Sequence, residues 1–63
     1  MSLVAVVARK RHDGFEFLAH VGADLTWSLL ESDADRFPTL HEATRAALRL
    51  PSKVRAFALP VRH

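Results

Sequence analysis

Four histidines, at positions 12, 20, 41 and 63, are the side chains best suited to moving protons or holding a metal near neutral pH. Their spacing argues against both roles. No two stand at i, i+4 or at another recognised ligand spacing, so no metal site is expected. His20 stands alone on a strand pattern and His41 on the outer face of a helix pattern. The chain has no cysteine, which removes disulfides and thiolate chemistry. Asp24, Glu31, Asp33 and Asp35 fall where turns and caps are expected, not as a facing pair of carboxylates. No Ser-His-Asp set or glycine-rich phosphate loop is recognisable. A chain of 63 residues can scarcely build a water-excluding pocket. The expectation is no catalytic residue, no cofactor and no enzyme.

The run Arg9-Lys10-Arg11-His12 is the densest charge in the chain. Together with Arg55 and Arg62 it forms a candidate basic patch for phosphate or for an acidic protein surface. A second reading is a solvated hairpin tip that keeps the sheet soluble. The net charge of +2 is modest for a nucleic-acid binder. Sheet-based RNA recognition also needs exposed aromatic rings for stacking, and Phe15 and Phe17 are expected to face a helix instead.

The elements that must position these residues follow from periodicity. Leu3 to Arg9 reads as a central strand, apolar on both faces. Asp13-Gly14 reads as a two-residue hairpin turn, which sets His12 opposite Phe15, Ala8 opposite Ala19 and Arg11 opposite Glu16. Phe15 to Val21 alternates, with Phe15, Phe17, Ala19 and Val21 on one face. After a turn at Gly22-Ala23-Asp24, Leu25 to Leu30 forms a third strand that carries Trp27, expected to pack at the core or edge. Glu31 to Pro38 is a polar connection. Thr39 and Glu42 have capping-box spacing and start a helix from about Leu40 to Arg49, which Pro51 ends. Its inner stripe is Leu40, Ala43, Ala47 and Leu50. Val54 to Leu59 is the last strand.

The order β-β-β-α-β predicts a single α+β domain over residues 1–63. It has a four-stranded mixed sheet in the order 3-2-1-4, with the last strand parallel to the first and one helix on one face. The helix stripe is matched to the Phe15/Phe17 face, which sets Phe17 opposite Ala43 and Ala47. The second face would then gather Leu3, Ala5, Val7, Leu18, Leu30, Phe57 and Leu59 with no element over them. An apolar patch of that size marks an interaction surface, and these residues form the candidate interface.

Composition supports a folded domain, with hydrophobic residues at 49% and charged ones at 25%. Domains this small often need a staple, and with no disulfide or metal expected, self-association is the remaining one. A homo-oligomer, most simply a dimer, is therefore expected. No apolar run reaches the length of a membrane span. The run Leu3 to Ala8 is too short for a signal-peptide core and has no basic residues before it, so a cytoplasmic location is expected.

Trp27 followed by Ala34-x-x-Phe37-x-Thr39-x-x-Glu42-Ala43 resembles a pattern in small phage and prophage proteins of unassigned role. Asp13-Gly14 and Thr39-Leu40-x-Glu42-Ala43 are also similar to the N-terminal module of HicB-type antitoxins. There an Asp-Gly hairpin and a third strand lead to a capped helix and a fourth strand. The resemblance implies a non-catalytic partner-binding module, an inhibitor of the kind carried by mobile elements. The alternative is a nucleic-acid-associated accessory protein using the basic hairpin tip.

Overall fold

The computed structural model describes residues 3–62. The side chains of Leu3 and Arg62 lie outside the described residues. The elements are β1 (Leu3–Arg11), β2 (Gly14–Val21), β3 (Asp24–Ser28), α1 (Leu40–Leu48) and β4 (Phe57–Arg62), with single 3₁₀ turns at Glu31–Asp33 and Ser52–Val54. The four strands form one sheet in the order β3-β2-β1-β4, with the helix packed on β4 and β1. The expected strand order and helix are both found.

The first hairpin closes two residues away from its expected register. Arg11 pairs with Gly14 and Ala8 with Phe17, so His12 and Asp13 are the loop. Neither has positive φ, as a type I′ turn would require, and Gly14 follows the loop at φ +154°. A shift of two residues leaves every side chain on its expected face. The second hairpin turns at Gly22-Ala23, with Gly22 at φ +63°, the type II′ arrangement.

The last strand runs antiparallel to β1, not parallel as expected. The reason lies in the connection before the helix. Its last part is an extended leg wedged between β1 and β2. Phe37 donates its N–H to the Ala5 carbonyl at 2.8 Å and accepts from the Ala5 N–H at 3.0 Å. Asp35 donates to the Leu18 carbonyl at 3.0 Å. The β1–β2 ladder itself stops at Ala8/Phe17, so the leg satisfies backbone groups that the parting strands would leave unpaired. The leg has already brought the chain back to the start of β1. The helix therefore begins there, and β4 must descend along β1 in the opposite sense.

Pro60 sits on β4 opposite Ala5. Because Ala5 spends both backbone groups on Phe37, Ala5/Pro60 is a non-hydrogen-bonded pair, and no ladder bond needs the N–H that proline lacks. That missing donor falls on the outer edge of the sheet, where it blunts pairing with another strand.

Thr39 caps the helix as expected, its Oγ1 accepting from the Glu42 N–H at 3.1 Å. The stripe Ala43, Ala46, Ala47 and Leu50 meets Ala5, Val7, Leu18, Ala56 and Ala58, with Trp27 and Phe37 at the margin. This is the opposite face of the sheet from the one expected. Small side chains on both sides explain the choice. Ala43 and Val7 are fully buried, a closeness that an alanine helix reaches over Ala5 and Ala58 but not over Phe15, Phe17 and Phe57. Phe17 accordingly lies away from Ala43 and Ala47.

Candidate interaction surface

The face without the helix is built from alternate residues of all four strands. Register aligns Val4, Val6 and Ala8 of β1 with Val61, Leu59 and Phe57 of β4 on one side. On the other side of β1, Ala8 aligns with Phe17 of β2, which places Phe15, Ala19 and Val21 on the same face. Phe17, Ala19 and Val21 pair on β3 with Ser28, Thr26 and Asp24. The apolar stripe thus spans three strands. It is bordered by a polar column on β3 and by Lys10 at one end, and it runs uninterrupted to the β4 edge.

This face covers its own centre. Val6, Ala8 and Ala19 are buried, although among the described residues no helix lies over them. Phe15 of β2 and Phe57 of β4 meet edge to face across β1, with ring centroids 5.9 Å apart. The small side chain of Ala8 between them leaves room for that contact. The rim stays open, with Phe15 43% and Val21 69% exposed. Phe17, Phe57, Leu59, Val4 and Val61 are half-buried. Beside the rings a recess of about 480 Å³ is lined by Arg11, Asp13, Gly14, Phe15, Phe17 and Leu29.

The expected interface residues are therefore divided. Ala5 and Val7 are buried beneath the helix and Leu18 is buried at its margin, so none of the three belongs to the uncovered face. Phe57 and Leu59 are on the uncovered face. Leu30 is exposed, but it lies beyond the end of β3 at the start of a 3₁₀ turn. Leu3 falls outside the described side chains. The aromatic residues assigned to the core, Phe15 and Phe17, form the surface instead.

The basic patch is divided too. Arg9 donates Nε to Glu16 Oε1 at 2.7 Å, and Arg11 donates Nη1 to Glu16 Oε2 at 2.8 Å. The Arg9 guanidinium also lies 4.4 Å from the Trp27 ring centroid, so Trp27 is packed at the sheet margin under a cation. Glu16 is 8% exposed, and the hydrogen bond from Arg9, then that from Arg11, hold its carboxyl below the usual range against the opposing effect of burial. Lys10 points to the other face, and Arg55 is exposed at a left-handed position with φ 57°. Arg62 lies outside the described side chains. Among the described side chains, Arg9 and Arg11 share one face of the sheet and Lys10 lies on the other.

A pairing that the sequence did not signal joins His20 Nδ1 to the Asp35 carboxylate. The two are fifteen residues apart, and only the wedged leg brings them together. Among the described residues, no three of the histidines and acids gather as metal ligands. Among the same residues, no helix is long and apolar enough to cross a membrane. Compared with known proteins, the chain matches no family model, no curated protein and no solved structure.

Proposed function

We propose that this chain is a non-catalytic protein-binding module that self-associates as a dimer through the uncovered sheet face and acts in the cytoplasm by occluding a partner protein. The observation that carries this reading is the three-strand apolar stripe with its exposed Phe15 rim and no described element over it. An exposed aromatic cluster bordered by polar residues has the make-up of an interface core and rim. Pro60 on the β4 edge favours stacking of faces over joining of edges. The likeness to phage proteins and to antitoxin modules suggests an inhibitor from a mobile element as the biological setting.

The same geometry weighs against nucleic acid as the partner. Two of the three hairpin arginine and lysine charges are committed to Glu16, and of those two only Arg11 borders the recess beside the aromatic rings. Sedimentation equilibrium over micromolar concentrations tests the proposal. A dimer that survives raised salt is expected, because apolar contact is insensitive to screening. A strict monomer at the highest concentration would contradict it.

A further inference from the structure

A second concave site lies on the other side of the sheet. The helix sits over β1 and β4, so β2 and β3 extend beyond its cover. Between helix and hairpin a cleft of about 280 Å³ is lined by Leu18, His20, Leu25, Phe37, Ala46, Arg49 and Leu50. It adjoins a smaller recess of about 180 Å³ that shares Phe37, Ala46 and Arg49 and adds Arg45 and Glu42. The two form one trench over Phe37, apolar at the hairpin end and cationic at the helix end.

Four observations give this trench a chemistry. Its wide part is large enough for an aromatic ring with a short arm, since a cavity of about 150 Å³ already admits benzene. Arg45 and Arg49, unlike Arg9 and Arg11, have no carboxylate partner among the described residues. His20 is held at the wall by its bond to Asp35, and Asp35 is fixed in turn by its backbone bond to Leu18. Among the described residues, Glu42 is the one acidic side chain lining the trench, against two arginines.

The geometry points to a binding site for a small apolar carboxylate, its ring or branched chain against Leu18, Leu25, Phe37 and Leu50 and its acid group on Arg49 and Arg45. A guanidinium pairs with a carboxylate through two parallel N–H donors, so the acid group is what the site selects. This site is independent of the uncovered face and leaves the proposed self-association untouched.

Titration of the isotope-labelled chain with 3-phenylpropionate, followed by amide shifts, tests it. Saturable shifts at Leu18, His20, Phe37 and Arg49 are expected, with a Kd on the order of millimolar for a ligand of this size. The uncharged 3-phenylpropionamide should bind about tenfold more weakly, and Arg49→Gln should cost the acid about the same factor. Lys53→Gln, a cation outside the trench, should change nothing. Equal binding of acid and amide would overturn the proposal. So would shifts centred on Phe15, Phe17 and Phe57, or no saturation at roughly tenfold above that concentration.

Discussion

The two faces of this sheet start from similar material and end in different states. β1 supplies Val4, Val6 and Ala8 to one face and Ala5 and Val7 to the other, and the innermost of both sets are fully buried. On the helix side, small residues meet small residues, and Ala43 and Ala47 close the layer. On the uncovered side, aromatic rings from β2 and β4 lean together over β1 and leave a rim in water. The lesson is one of volume. A helix lined with alanine lies close only to a flat surface of small side chains. Large side chains are left to cover themselves, or to be covered by another molecule.

Truncation on each face should separate the two states. Leu18→Ala removes a buried side chain from beneath the helix and should cost about 2–5 kcal/mol, enough to unfold a domain this small. Phe17→Ala, half-exposed on the other face, should cost only about 1–2 kcal/mol in the monomer. Urea melts of both variants at low concentration check the difference, and an equal loss would erase the distinction between the faces.

The uncovered face should matter more to association than to folding. Replacing Phe15 and Phe57 together by Ser should weaken the dimer about tenfold or more, as interface aromatics do, while the far-ultraviolet dichroism is kept. Sedimentation at several concentrations reads the change. If the double variant unfolds, Val61→Ser at the rim supplies the same comparison with less burial lost.

Smaller effects belong to the helix side. Thr39→Ala should lower stability by about 1 kcal/mol through the lost cap, seen as an earlier melt with dimerisation unchanged. Glu16 gives a pH signature. Arg9 and Arg11 hold its carboxyl below the ordinary glutamate range, so the folded state binds its proton less readily than the unfolded chain. The resulting stability is present at neutral pH, above the unfolded pKa, and is lost as pH falls through the lowered folded value. Urea unfolding across that acidic range should show the loss in the parent chain, and Glu16→Gln should remove that part of the pH dependence.

Much of this architecture is legible in the residues. Alternation sorts the side chains of β1 and β2 onto their faces, and Thr39 marks the helix start. The choice of face for the helix is not legible from alternation, because β1 is apolar on both sides. Glu16 and His20 also make the covered face look solvent-facing. They sit on β2, beyond the helix, where Arg9, Arg11 and Asp35 satisfy them. Comparing volumes, Ala43 and Ala47 against Phe17 or against Ala5, would have indicated the right face. The wedge of Asp35 to Phe37 carries no such signal. It is held by backbone bonds that any residue except proline could make, and it reverses β4 and joins Asp35 to His20.

Protection of side-chain methyl groups from a soluble paramagnetic probe, measured at low and high protein concentration, shows which face of the sheet is the interface. Ala5 and Val7 should be shielded at every concentration. Leu59 and Val61 should be reached by the probe in dilute solution and become shielded as the dimer forms. If Leu59 and Val61 stay accessible at high concentration, or if the row of Ala5 and Val7 is the one that responds, the assignment of the uncovered face as the interface is contradicted.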